Sequence, residues 1–111
     1  MCGFVGFTNF TKDISSDKPI LEKMNRTISR RGPDEEGYYI DKSVAMAHKR
    51  LIVRDPVGGK QPMIEKYSFG AYVIVYNGQI YNTEELKKVL LENNFALHSH
   101  SDTEILLKSY I

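Results

Sequence analysis

The hydrophobic pattern of this chain switches between the strand period and the helical period without a regular alternation of the two kinds of segment. The segments with strand character are residues 3–7, 37–40, 44–48 and 71–76. The segments with helical spacing follow start signals at Asp17, Asn82 and Ser101. Because a parallel doubly wound sheet needs strands and helices in alternation, this order favours an α+β fold with largely antiparallel pairing.

Turn and cap residues extend these predictions. Asn77-Gly78 is the strongest hairpin signal in the chain, and it predicts that residues 79–81 return as a partner strand for residues 71–76. Asn82 and Ser101 are each followed three residues later by a glutamate, which is the spacing of a capping box. The first helix is predicted to run for about three turns, with its apolar face on Ile20, Leu21, Met24 and Ile28.

Composition excludes several classes of function. The chain has 111 residues, a formal net charge of +1 and one cysteine, Cys2. This length suits one small domain, and the interspersed acids and bases argue against a nucleic-acid or membrane-surface partner. Cys2 has no partner for an internal disulfide, and no apolar run approaches the roughly 20 residues that span a bilayer. We therefore predict a cytoplasmic protein.

Cys2 gains a second reactive group if Met1 is removed. It then carries a thiol and a free α-amino group, whose reference pKa of about 7.7–8.0 suits a general base near neutrality. One residue would supply both the nucleophile and the base, as in N-terminal nucleophile catalysis. The alternative is that Cys2 is a small buried residue at the start of a strand.

Four other residues carry candidate chemistry, each beside a simpler interpretation. The Asn77 carboxamide and the Gly78 N–H are two neutral donors that suit an oxyanion, although the pair also predicts a hairpin turn. Arg50 and Asp102 suit the carboxylate and the ammonium of an amino acid, although Asp102 also fits a helix cap and Arg50 a surface charge. A zinc site is set aside because the usual ligand spacing is missing from Cys2, His48, His98 and His100.

Several motifs occur together in one order along the chain. They are Met1-Cys2-Gly3-Phe4-Val5-Gly6, Arg31-Gly32-Pro33-Asp34, Ala47-His48-Lys49-Arg50-Leu51, Gln61-Pro62-Met63, Tyr76-Asn77-Gly78-Gln79-Ile80-Tyr81-Asn82 and Ser101-Asp102-Thr103-Glu104. In this combination the chain resembles the class II glutamine amidotransferases, which are N-terminal-nucleophile hydrolases, and within them the asparagine synthetase branch. The resemblance runs from Cys2 to the last predicted helix.

The resemblance implies a role for each matching residue. Cys2 would attack the side-chain amide of L-glutamine, and Asn77 with Gly78 would hold the oxyanion. Arg50 would bind the substrate carboxylate and Asp102 its α-ammonium. The remaining implied glutamine-binding residues are Leu51, Ile52, Val53, Arg54 and Gln79. Gln79 is a departure, since the family usually has a glutamate at this position.

The resemblance also implies the surroundings of the site. The expected fold is a sandwich of antiparallel sheets between helices, of which residues 1–111 would be the N-terminal part. No cofactor or metal is expected in this domain; ATP and Mg would belong to a C-terminal synthetase domain that receives the ammonia. Residues 3–7 and 71–76 are apolar on both faces, which predicts interior strands and a homo-oligomer. The alternatives are a non-catalytic binding domain, or an amidotransferase serving another acceptor, such as a surface-sugar pathway.

Overall fold

The computed structural model describes residues 2–52 and 58–111. Within these residues the chain forms helices and antiparallel sheets, which confirms the α+β prediction. The strands are β1 Gly3–Thr8, β2 Glu35–Ile40, β3 Val44–Arg50, β4 Met63–Tyr67 and β5 Gly70–Ile74. The α-helices are α1 Lys18–Arg26, α2 Thr83–Glu92 and α3 Asp102–Tyr110, and Ser29–Arg31 forms one 3-10 turn.

A three-stranded antiparallel sheet in the order β1-β3-β2 contains the three strands predicted in the first half of the chain. Helix α1 packs against β1 and β3, and an apolar core lies between the helix and the sheet. Its buried members are Ile14, Leu21, Ala45 and Ala47. Strand β1 lies at an edge of this sheet, with Phe4 51% exposed, so the interior position expected from its composition is not seen in the described residues.

The hairpin predicted at Asn77-Gly78 is wrong. Strand β5 pairs with β4 instead, in a two-stranded antiparallel sheet, and no strand forms at residues 79–81. The backbone groups that a hairpin ladder would use are bonded to side chains. The Tyr76 N–H donates a hydrogen bond to the Gln61 carboxamide oxygen, and the Ile80 N–H donates one to the Asp102 carboxylate. Long-range polar side chains therefore override the local turn signal.

The first helix begins as predicted after Asp17 but ends at Arg26, earlier than the predicted three turns. The Thr27 hydroxyl donates to the carbonyl of Met24 at 2.6 Å, and the Ser29 hydroxyl donates to the carbonyl of Arg26 at 2.9 Å. These hydroxyls take carbonyls that a further helical turn would have used. Ile28 consequently lies outside α1.

Helix α2 follows Asn82, but the Asn82 side chain makes no cap hydrogen bond. Its other end is a Schellman motif: Asn94 has φ 65°, and the N–H of Phe95 donates to the carbonyl of Leu90 at 3.0 Å. The predicted end of the helix at Asn93-Asn94 is thus confirmed.

Helix α3 uses part of the predicted capping box. The Ser101 hydroxyl accepts from the Thr103 N–H at 3.1 Å, as an N-cap does. The Glu104 carboxylate does not return to the Ser101 N–H; it accepts the N–H groups of His98 and Ser99 instead, at 2.8–3.1 Å. Burial opposes ionisation of Glu104, but the hydrogen bonds outweigh it and lower the pKa of this carboxyl. The loop before α3 is therefore fixed to the helix.

Candidate active site

An open cleft of about 600 Å³ lies between the end of the three-stranded sheet, the segment after β5 and the start of α3. It is lined by most of the site residues predicted from the sequence: Cys2, Arg50, Leu51, Asn77, Gly78, Gln79 and Asp102. Ile52 is 37% exposed and does not contribute to the described lining. Met1, Val53 and Arg54 lie outside the described residues.

Cys2 directly precedes β1, and its thiol faces the backbone of Leu51, which directly follows β3. The Leu51 N–H donates to Cys2 Sγ at 3.3 Å, and Sγ lies 3.5 Å from the Leu51 carbonyl oxygen. The thiol can donate to that carbonyl, whereas a thiolate would be matched by the N–H. The backbone of Leu51 can therefore form a hydrogen bond with the sulfur whether Cys2 is a thiol or a thiolate.

The motif Arg31-Gly32-Pro33-Asp34 braces this region. The guanidinium Nε of Arg31 donates to the Cys2 carbonyl at 3.1 Å. A side chain at Gly32 would collide with the backbone of Lys49 and Arg50, so the close approach requires glycine. Asp34 donates its N–H to the Arg50 carbonyl at 3.0 Å, and its carboxylate accepts the N–H of Ile52 at 2.8 Å. The motif ties Cys2 and the end of β3 into one unit.

Arg50 and Asp102 supply opposite charges to the cleft. Arg50 is only 4% exposed and donates from Nη1 to the Glu35 carboxylate at 2.7 Å, so its interpretation as a surface charge is wrong. Asp102 is 8% exposed; Ser101, not Asp102, is the N-cap of α3, and the Asp102 carboxylate accepts the Ile80 N–H at 3.0 Å.

Residues 75–82, which we call the site loop, carry the two candidate oxyanion donors. The Tyr76 ring folds over Gly78, where an added Cβ would lie 2.7 Å from the Tyr76 hydroxyl. Burial raises the pKa of Tyr76, and the negative charge of Asp102 raises it further. Tyr76 is therefore a neutral phenol at pH 7, beside the carboxylate proposed from sequence to bind an ammonium.

The backbone of Tyr76 is held by two side chains. Gln61 accepts the Tyr76 N–H at 2.5 Å, and its Nε2 donates to the Tyr76 carbonyl at 3.1 Å. His48, fully buried, approaches the same carbonyl at 3.2 Å through Nε2. Burial lowers the pKa of His48, and the bond to the carbonyl offsets this only in part, so the ring is a neutral donor at pH 7.

A protein-family model described as "Glutamine amidotransferase domain" matches residues 1–111. The chain belongs to this family. Two relatives from Bacillus subtilis (strain 168) are asparagine synthetase (glutamine-hydrolyzing) 3, 43% identical over 111 residues, and asparagine synthetase (glutamine-hydrolyzing) 1, 38% identical over 112 residues. A plant relative, asparagine synthetase (glutamine-hydrolyzing) 1 of Arabidopsis thaliana, is 34% identical over 110 residues.

These matches cover 99–100% of this amidotransferase chain and 17–18% of each relative. The chain thus spans less than a fifth of the length of the curated relatives it matches. The sequence resemblance to the glutamine-hydrolysing asparagine synthetases is confirmed at the level of the family.

Three residues that shape the cleft or its loop were given no role there from the sequence. They are His48, which was considered as a zinc ligand and as a motif member, and Gln61 and Tyr76, which appeared as members of motifs. The sequence separation of Gln61 and Tyr76 does not predict their contact, because the hydrogen bonds depend on how the two segments pack in three dimensions. In the described parts of the chain, no group of three or more His, Cys, Asp or Glu side chains is placed to hold a metal ion. The helices of those parts are all too short or too polar to cross a membrane.

Proposed function

We propose that this domain hydrolyses L-glutamine to glutamate and ammonia, with Cys2 as the nucleophile. The observation that carries the proposal is a single cleft lined by a thiol, two neutral donors and two opposite charges. These groups belong to Cys2, Asn77, Gly78, Arg50 and Asp102. The family match supports the same reaction class independently of this geometry.

Substrate binding would use the two charges of the cleft. Arg50 would pair with the α-carboxylate of glutamine while Glu35 keeps its guanidinium in place. Asp102 would accept the α-ammonium while its bond to the Ile80 N–H fixes the carboxylate. Gln79 and Leu51 line the same cleft, and each would add a neutral contact. The family resemblance implies backbone contacts to glutamine from Ile52, Val53 and Arg54 as well.

The chemistry would begin after removal of Met1. Cys2 Sγ would form a bond to the side-chain amide carbon of glutamine, the carbonyl π electrons would move to oxygen, and the thiol proton would pass to the Cys2 α-amino group. The Asn77 carboxamide and the Gly78 N–H would donate to the resulting oxyanion. Collapse would expel ammonia with that proton and leave a thioester, which water would hydrolyse to release glutamate and the thiol.

The relatives suggest where the ammonia goes. Their names describe glutamine-hydrolysing asparagine synthetases, so we propose that the domain supplies ammonia to an ATP- and Mg-dependent synthetase domain that makes asparagine from aspartate. We also propose that the two sheets belong to a sandwich of the N-terminal-nucleophile hydrolase type, in a cytoplasmic homo-oligomer. Exposed apolar residues, such as Ile20, Phe69 and Tyr110, support self-association.

The test measures glutamate and ammonia released from glutamine by the chain and by Cys2→Ala. We expect equimolar products from the wild type and none from the variant, with glutamine binding by calorimetry retained in both. An extension in front of Cys2 should also abolish turnover, and its removal by a protease that leaves Cys2 first should restore it. A wild type that binds glutamine without hydrolysing it would support a non-catalytic binding domain instead.

A further inference from the structure

Gln61 continues the ladder between β4 and β5 with its side chain. The register pairs Met63 with Ile74, so two residues further along both strands Gln61 lies opposite Tyr76. Pro62 has no N–H, and the named strands end before this point. The Gln61 carboxamide nevertheless bonds both the N–H and the carbonyl of Tyr76, as an opposite residue of an antiparallel pair would.

The same carboxamide connects the site loop to the rest of the cleft. Its Nε2 also lies 3.2 Å from the hydroxyl of Thr103, the residue after Asp102. His48 Nε2 approaches the Tyr76 carbonyl from the three-stranded sheet. Tyr76 is thereby attached to the element that carries the ammonium-binding carboxylate and to the strand that carries Arg50.

The backbone of Gln61 is itself seated on the three-stranded sheet. Gly37 in β2 is the cross-strand partner of His48, and a Cβ at Gly37 would collide with the Gln61 carbonyl oxygen. Only glycine allows this approach between the segments. Gln61 and His48 therefore reach Tyr76 from one rigid support.

From this geometry we infer that Gln61, together with His48, is a positioning residue: it fixes the location of the proposed oxyanion donors Asn77 and Gly78. The inference rests on the proposed function. Asn77 and Gly78 directly follow the clamped residue, so rotation of the Tyr76 peptide would move both donors. Because bound glutamine carries no oxyanion, and the charge develops only as the thiol attacks, misplaced donors lower kcat while the substrate KM changes little.

The experiment compares Gln61→Glu with the wild type. The new carboxylate keeps an acceptor for the Tyr76 N–H but loses the donor to the Tyr76 carbonyl. The matched control is Asn93→Asp, the same chemical change at an exposed carboxamide that donates to the Val89 carbonyl at 2.8 Å. We expect kcat for glutamine to fall about 10- to 100-fold in Gln61→Glu, below the full loss of an oxyanion donor, with KM within about threefold. The control should keep the wild-type kcat.

A second readout separates positioning from general damage. Iodoacetamide alkylates a thiol by displacement at a saturated carbon and forms no oxyanion, so its rate on Cys2 should be unchanged in Gln61→Glu. Gln61→Met, which removes both hydrogen bonds without burying a charge, should show the same pattern. His48→Gln, which retains a neutral N–H donor, should lose less kcat than His48→Leu.

Each outcome decides the inference. Wild-type kcat in both Gln61 variants would overturn it. A parallel loss of kcat, alkylation rate and melting temperature in both would also overturn it, in favour of a purely structural role. A wild type that does not hydrolyse glutamine would overturn the proposed function, and the inference with it. Activity in the wild type with unchanged variants would leave the proposed function standing.

Discussion

The three-stranded sheet and the site loop are stabilised in different ways. The sheet is held by a continuous backbone ladder and by an apolar core around Leu21, Ala45 and Ala47. The site loop has no ladder beyond β5; its backbone is bonded to the side chains of Gln61 and Asp102. Substitutions in the sheet should therefore change stability first, whereas substitutions around the loop should change glutamine chemistry first.

The largest effect is expected at Arg50, where the sheet meets the cleft. Arg50→Ala removes the charge proposed for the substrate carboxylate, and truncation of one partner of a buried charge pair costs about 2–5 kcal/mol of binding free energy. Lys49→Ala is the matched control, since Lys49 pairs with Glu36 and does not line the cleft. Calorimetry with glutamine and the Cys2→Ala protein measures both. Equal affinities in the Arg50 and Lys49 variants would remove Arg50 from the site.

The core between the three-stranded sheet and helix α1 should respond differently, with a loss of stability and unchanged glutamine chemistry. Leu21 is fully buried in the core, so Leu21→Ala should lower the free energy of unfolding by about 2–5 kcal/mol. Ile20→Ala, at a neighbouring residue that is 52% exposed, should cost far less. Urea titration measures the stability, and kcat per folded molecule should stay at the wild-type value in both. A large fall in kcat of the folded Leu21→Ala protein would contradict the comparison, because it would show that the core also controls the chemistry of the cleft.

The smallest effect is expected on the pH dependence of stability, through His48, which lies in β3 and contacts the site loop. Burial is the main cause that lowers its pKa, the Arg50 charge acts in the same direction, and Tyr76 and Glu35 oppose it. The unfolded chain has the usual histidine pKa of about 6.5, so it binds more protons than the folded chain between that value and the lowered one. Stability should therefore be greatest above about pH 6.5 and fall as the pH drops through this window.

The measurement is a series of urea titrations from pH 8 to pH 3.5. The variant His48→Gln should lack the component of the slope that His48 contributes. A separate loss of stability below about pH 4.5 should remain in it, because the lowered pKa of Glu104 gives an acid-labile contribution that does not depend on His48. An identical slope in both proteins between pH 6.5 and 5 would show that His48 takes up its proton equally in both states.

Local patterns predicted the three strands of the first sheet and the helix positions well, and the loops less well. The strands around Ala45 and Ala47 follow from a short apolar pattern with a turn beside it, since neighbours in sequence also pair in space. Strand β4 was not predicted, because Met63–Tyr67 contains two charged residues and follows a Gly/Pro-rich loop. Asn77-Gly78 was assigned to a hairpin because its turn signal is local, whereas the bonds that prevent the hairpin come from distant residues.

The sequence by itself determined a cysteine at position 2, the ordered motifs that identify the family, and the residue types on which the proposed catalytic and binding roles rest. Those are properties of residue type and order, which need no coordinates. Only the tertiary structure decided that Arg50 is buried against Glu35, that Asp102 holds the Ile80 N–H, and that Gln61 replaces a missing strand partner of Tyr76. The reason is physical: a hydrogen bond between residues far apart in sequence depends on how the packed elements bring them together, and no local pattern encodes that distance.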